Sequence, residues 1–159
     1  MIYIVIGQSG AGKTSFCKSR WVKEPCVVYE DIIYCTKCPN NVVALGKYFV
    51  GIRTEGTDTL SYSAKDKIKA QLKKLTDEGY DILMEGDRIN NKEILTYAAS
   101  LQPVEMYLII CPLNESMRRL RAAGSTITLP FVKTTRTKAL NNFNSFKYAV
   151  KKEIINTYG

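Results

Sequence analysis

Hydrophobic residues along this chain come in short runs separated by amphipathic stretches. Ile2 to Ile6 is an unbroken β-branched and aromatic run, the pattern of a strand covered on both faces. A helix is predicted from Lys13 to Val22. Cys26 to Tyr29 reads as a second short buried strand, ending in Glu30-Asp31. Tyr48 to Ile52 is β-like and reads as part of an excursion on the substrate side. From Ser63 to Glu78, Ile68, Leu72 and Leu75 fall on one face and lysines on the other, and Gly79 ends this helix. Tyr80 to Met84 is the third predicted strand and runs into Glu85-Gly86-Asp87-Arg88. Asn91 to Leu101 is helical, and Val104 to Cys111 is a fourth strand stopped by Pro112. A helix spans Leu113 to Ala123 with Gly124 behind it, and Pro130 opens a long final helix. Strands alternating with helices predict an α/β fold with a mostly parallel central sheet and helices on both faces. No repeat, low-complexity tract or linker divides the chain, so residues 1–159 are read as one domain.

Composition changes this picture little, but charge changes it more. At 45% hydrophobic and 24% charged the chain matches an ordinary globular protein. No apolar run approaches the roughly 20 residues that span a bilayer. The five-residue apolar start is too short for a signal peptide, which predicts a cytosolic protein. Five scattered cysteines predict free thiols; Cys35 and Cys38 form a C-x-x-C, but the chain has no histidine to complete a zinc site. The net charge of +8 is unevenly spread. Residues 1–112 carry 14 basic against 13 acidic side chains, whereas residues 113–159 carry 9 against 2. The last third is therefore a cationic surface, suited to a nucleotide, a nucleic-acid backbone or simple solvation.

The strongest local signal is GQSGAGKT at 7–14, which matches G-x-x-x-x-G-K-[ST] between a strand and a helix. Gly7, Gly10 and Gly12 let the backbone turn its N–H groups toward phosphate oxygens, with Ser9, Ala11 and Ser15 completing the cradle. The helix N-terminus adds partial positive charge. In such a loop Lys13 reaches the β and γ phosphates and the Thr14 hydroxyl ligates Mg²⁺. The expected ligand is a nucleoside triphosphate, ATP.

Acids at strand ends are the next candidates, because ligands in parallel sheets sit beyond the carboxyl ends of the strands. Glu30 or Asp31 would accept the proton of an attacking hydroxyl. Glu85 or Asp87 would face the magnesium, and Arg88 would clamp an acceptor phosphate. GIRTEGTDTLS (51–61) gathers Arg53, Thr57 and Asp58 in a polar loop that suits substrate binding. Arg118, Arg119 and Arg121 cluster on one helix, where a lid would bring cations to a transferring phosphoryl group. Each has a plainer reading as a cap, a turn, an ion pair or a solvated charge.

With these residues in place, the chain resembles the P-loop nucleoside and nucleotide kinase superfamily over nearly its whole length. The resemblance rests on GQSGAGKT, on Asp31 after the second strand, and on the arginine-rich helix. It implies a three-layer P-loop kinase fold with a small lid at about 113–136, and ATP with Mg²⁺ as cofactors. EGDR (85–88) looks like the Asp-Arg signature of thymidylate kinases, and Asp31 is similar to the general base of polynucleotide and small-molecule kinases. More narrowly, GIRTEGTDTLS, MEGDRI (84–89) and TTRTKALNN (134–142) look like the small phage kinases that phosphorylate 5-hydroxymethyluracil within DNA. That likeness implies a DNA partner, a base taken out of the stack, and the host cytoplasm as compartment. It implies catalysis by Asp31, Lys13, Arg118 and Arg121, and metal binding by Thr14 with Glu85 and Asp87. Substrate contacts would come from Glu30, Arg53, Thr57, Asp58 and Arg88, and Arg136 and Lys138 would hold DNA or nucleotide. The competing expectations are a thymidylate-like kinase acting on free deoxynucleoside monophosphates and a non-catalytic binding module.

Overall fold

The computed structural model describes residues 1–49, 56–61 and 63–158. Among these, seven strands form one sheet: β1 (Ile2–Gly7), β2 (Val27–Glu30), β3 (Tyr34–Cys38), β4 (Val42–Leu45), β5 (Asp81–Glu85), β6 (Val104–Ile110) and β7 (Ala149–Asn156). Their order across the sheet is β2-β3-β4-β5-β1-β6-β7. β4, β5, β1, β6 and β7 pair in parallel, while β2-β3 and β3-β4 are antiparallel. The helices are α1 (Lys13–Arg20), α2 (Lys65–Asp77), α3 (Lys92–Leu101), α4 (Leu113–Ala122) and α5 (Leu129–Ser145).

Alternation along the central strands builds two cores, one on each face. Ile2, Ile4 and Ile6 of β1 pack on one side with Ile82, Met84, Met106 and Leu108, beneath α2, α3 and α5. Val5 points the other way and joins Leu83, Tyr107 and Ile109 beneath α1. The fold is thus α/β, with a mostly parallel sheet flanked by helices. α1 follows β1 onto one face, and α3 follows β5 onto the other. Chains leaving neighbouring strands in opposite directions open a crevice at the carboxyl ends of β1 and β5. No helix among the described residues is long and apolar enough to cross a membrane.

The outer strands depart from the sequence expectation. β2 is no buried strand; it is the half-exposed edge of an antiparallel meander. The hairpin of β3 and β4 turns at Pro39-Asn40-Asn41, with both asparagines in left-handed conformation, φ 63° and 65°. Of the predicted β-like stretch, Tyr48 is a buried loop residue, and 50–52 lie outside the described residues. The long final helix does start at Leu129-Pro130 but is followed by β7, which no reading of the sequence anticipated. α5 runs unbroken through residue 136, so the expected lid ends in no structural break there. Cys35 packs in one core and Cys38 in the other, because residues three apart on a strand face opposite sides. The pair therefore shares no site, and all five cysteines are free thiols.

These packing differences set the expected costs of truncation. Leu72 of α2 is fully buried, whereas Ile154 of β7 is 55% exposed. In urea unfolding, Leu72→Ala should lower stability by about 3 kcal/mol, and Ile154→Ala by less than about 0.5 kcal/mol.

Candidate active site

The loop after β1 closes on its own carbonyls. Lys13 Nζ donates to the carbonyls of Gly7 (3.2 Å) and Gln8 (3.0 Å). The Ala11 carbonyl accepts from Arg119 Nη1 at 3.1 Å and from Thr157 Oγ1 at 2.6 Å. The buried Gln8 side chain donates to the Cys111 carbonyl and to Ser116 Oγ, pinning the loop to the start of α4. Ser9 N donates to Thr135 Oγ1 of α5 at 3.1 Å. These carbonyls are occupied, and the first N–H groups of α1 have no helix carbonyl to bond. Phe16 N makes the first intrahelical bond, to Gly12 O, so the amides of Lys13, Thr14 and Ser15 have no partner within the helix.

All three glycines of this loop are sterically required. A Cβ on Gly7 would sit 2.2 Å from the Ile109 carbonyl oxygen of β6, so this residue is needed for close approach rather than for turning. Gly12 caps α1 at φ 99°, a left-handed conformation that side chains resist. Gly10 lies against Ser116 and Leu120 of α4.

Glu85, at the end of β5, is the buried acid of the crevice. Thr14 Oγ1 donates to Glu85 Oε1 at 2.9 Å, and the buried Tyr48 hydroxyl donates to the same oxygen at 2.8 Å. Burial pushes the carboxyl up to about 7, opposed by the Lys13 charge and by the Tyr48 and Thr14 hydrogen bonds, with Asp58 adding to the rise.

The segment at 56–59 folds across this end of the sheet. Gly56 N donates to the Lys47 carbonyl, and Thr57 Oγ1 donates to the Glu85 carbonyl. Asp58 then accepts from Asp87 N at 3.1 Å and pairs with Arg88 at 3.6 Å. Asp87 also pairs with Lys138 of α5 at 3.3 Å. Asp58, Glu85, Lys13 and Thr14 line one cleft of about 250 Å³, roofed by Leu120, Ala123 and Ile127. A second hollow lies beside it, against the same loop, between Phe16, Ser19, Arg119 and Thr157.

Other expected site residues lie elsewhere. β2 is the fourth strand from β1, so Glu30 and Asp31 stand about 19 Å to the side at ordinary strand spacing. Asp31 is engaged there by Lys74 (2.6 Å) and Gln71 (3.0 Å) of α2, whose hydrogen bonds hold its carboxyl below the usual range. Glu30 faces Tyr34 across the β2-β3 pair. On α4, Arg118 is 67% exposed and tied to Glu115, and Arg121 donates to the Ser125 carbonyl. Arg119 is the arginine of the three that reaches the loop. Arg136 is half-buried on α5 beside Thr135, and Arg53 lies outside the described residues.

Sequence reasoning did not single out Gln8, Tyr48, Thr135 or Thr157: Gln8 and Thr135 fall at variable positions of the quoted stretches, and Tyr48 and Thr157 fall in none. Thr157 follows the unanticipated strand β7, and Tyr48 reaches Glu85 because β4 pairs in parallel with β5 and ends beside it. Among the described residues no three histidine, cysteine, aspartate or glutamate side chains form a metal cage. Mg²⁺ held against phosphates needs only one or two carboxylates, and the hard oxygens of Thr14 and Glu85 suit it. Compared with known proteins, the chain matches no family model and no curated sequence.

The Glu85 environment makes a stability prediction. The folded carboxyl binds its proton more tightly than the ordinary value of 4.5 allows. Its contribution therefore favours folding below about pH 4.5 and is lost as pH rises toward and past 7. Glu85→Gln keeps an acceptor for Thr14 and Tyr48 without the buried charge. Denaturant unfolding should find it more stable than the parent at pH 8, by about 1–3 kcal/mol, with the difference vanishing below about pH 4.

Proposed function

We propose that this protein is an ATP-dependent phosphotransferase acting on a hydroxyl acceptor. The observation that carries this reading is the convergence of Lys13, Thr14, Glu85 and Asp58 on one cleft beside the first amides of α1. The phosphates of ATP would lie on those amides, with Lys13 turning from its loop carbonyls to the β and γ phosphates. The nucleoside end fits the hollow between Phe16, Arg119 and Thr157. Thr14 Oγ1 and Glu85 would hold Mg²⁺, which when bound neutralises charge on the phosphate oxygens.

In this reading Asp58, not Asp31, takes the acceptor's proton. Asp58 shares the cleft with Lys13, whereas Asp31 is committed to Lys74. As the proton passes to the Asp58 carboxylate, the acceptor oxygen bonds to the γ-phosphorus and the bond to the β–γ bridging oxygen breaks, releasing ADP. Arg119 stands at the loop on the side of the nucleoside hollow, and Arg118 and Arg121 take no part in the transfer.

For the acceptor we propose the hydroxymethyl group of 5-hydroxymethyluracil in DNA. The support is that the three stretches behind the narrow resemblance meet around one residue. Asp87 of MEGDRI bonds Asp58 of GIRTEGTDTLS and Lys138 of TTRTKALNN. Segments remote in sequence that converge at the mouth of one cleft suit joint recognition of an acceptor.

The test is transfer of labelled γ-phosphate from ATP with Mg²⁺. Acceptors would be 5-hydroxymethyluracil DNA, ordinary DNA and free deoxynucleoside monophosphates. Label is expected on the modified DNA alone. Lys13→Ala should abolish transfer, Asp58→Asn should lower kcat by about 10²–10⁴, and Asp31→Asn should leave it within about threefold. Label on free monophosphates alone would make the protein a nucleotide kinase, and no label on any acceptor would overturn the reading.

A further inference from the structure

The lysines of α2 and those of the α3–α5 side are compensated to different degrees. Four of the five on α2 are paired: Lys65 and Lys69 with Glu93, Lys73 with Asp77, and Lys74 with Asp31. On the α3–α5 side the acids run out. Within residues 113–159, Glu115 is taken by Arg118 and Arg119, and Glu153 by Lys151. Among the described residues Lys92, Lys133 and Lys147 have no carboxylate partner. Lys133 and Lys147 belong to the +7 of the last third, and Lys92 of α3 stands across from them.

The same lysines line a continuous groove. Two hollows share Lys92 and Asn142, one running along α5 and the other turning past its end to Lys147 and Tyr148. Along α5 the groove wall is Lys133, Thr134, Thr137, Lys138, Asn141 and Ser145, positions three and four apart that form one polar stripe. No acid lines either hollow. Lys138 also bonds Asp87, which in turn bonds Asp58, so the groove leads to the proposed acceptor side of the cleft. From Lys133 to Ser145 the helix rises about 18 Å, room for about five phosphates of one strand. Beyond them Tyr148 presents a ring that is 64% exposed, a surface on which a base can stack.

We infer that the α3–α5 groove binds a strand of nucleic acid, with Lys92, Lys133 and Lys147 on its phosphates and Tyr148 against a base. Spaced point charges alternating with amide and hydroxyl donors suit the evenly spaced anions of a phosphodiester chain. This rests on the proposed function only in taking the acceptor as polymeric, and it gives the polymer a path into the cleft.

The test is fluorescence anisotropy of a labelled 20-nucleotide single-stranded oligonucleotide between 50 and 200 mM salt. Binding by the intact chain is expected to weaken with salt, at a slope of about 0.7 per phosphate contact. The variant K92E/K133E/K147E should bind at least tenfold more weakly at 100 mM salt, with a slope smaller by about 2. The variant K67E/K69E/K73E changes α2 by the same net charge and should stay within about twofold. Equal losses in both would mean a response to overall charge, and would overturn the groove. So would an intact chain that binds no oligonucleotide, or one from which polyglutamate displaces it as well as unlabelled DNA does. If the triple reversal fails to fold, Lys92→Ala and Lys147→Ala should each lower the slope by about 0.7, and no change in either overturns the assignment. Binding of a fluorescent ATP analogue is measured in parallel. Its absence in the intact chain would sink the phosphotransferase reading and leave the groove standing; oligonucleotide failure with ATP retained would do the reverse.

Discussion

A buried carboxylate organises this end of the molecule. Glu85 is 2% exposed, and an ionised or even neutral acid in that position is costly unless its oxygens are met. Thr14 comes from the first turn of α1 and Tyr48 from the loop after β4, so the acid ties two remote segments to β5. The fit is close. A Cβ on Gly56 would lie 2.8 Å from both the Glu85 carboxylate and the Tyr48 hydroxyl. Glycine at 56 lets the backbone pass over the acid, and Thr57 then bonds the Glu85 carbonyl. Asp58 is delivered to the cleft as a consequence. Removing the Glu85 carboxylate would leave the buried Tyr48 hydroxyl without this acceptor.

The loop after β1 shows a related economy of polar groups. A turn that is to bind an anion must hide its carbonyls and show its amides. Here three cationic or hydroxyl donors, Lys13, Arg119 and Thr157, take the carbonyls of Gly7, Gln8 and Ala11. Two of those donors come from the far half of the chain. β7 is an exposed edge strand with little core of its own, yet it ends beside the loop. Thr157 N bonds the Ile110 carbonyl, which places its hydroxyl on Ala11. The strand's structural role is therefore partly to hold the loop's polarity.

Local signals made the centre of the fold legible. β1, β5, β6 and the amphipathic α2 are covered on defined faces, and their residues show it. The outer strands are covered on fewer sides and read poorly. β7 interrupts its apolar positions with Lys151 and Lys152, and β3 carries Thr36 and Lys37 between cysteines. The Pro39-Asn40-Asn41 turn went unread, although asparagine tolerates the left-handed conformation it adopts there. The distance of Asp31 from the crevice has a topological cause. An acid ending a strand reaches the crevice when that strand neighbours β1, and the meander moved β2 to the edge instead. Sequence order placed it second; pairing placed it four strands away.

Charge was legible as a total and illegible as a surface. On α4, Arg118, Arg119 and Arg121 are near neighbours in sequence, but successive residues turn about 100° around a helix. Glu115 draws Arg119 from four residues away on the face toward the loop, while Arg118 is held outside and Arg121 turns to the Ser125 carbonyl. A cluster of three thus supplies one cation to the site. On α2 a lysine-rich face that looks basic in sequence is met by Glu93, Asp77 and Asp31 from three different elements. α5 carries fewer basic residues than α2, but few acids reach it, and its field is the less compensated of the two. Counting basic residues helix by helix does not rank these surfaces, because Glu93 and Asp31 reach α2 through tertiary contacts. Where those contacts end, along the groove between α3 and α5, uncompensated charge begins.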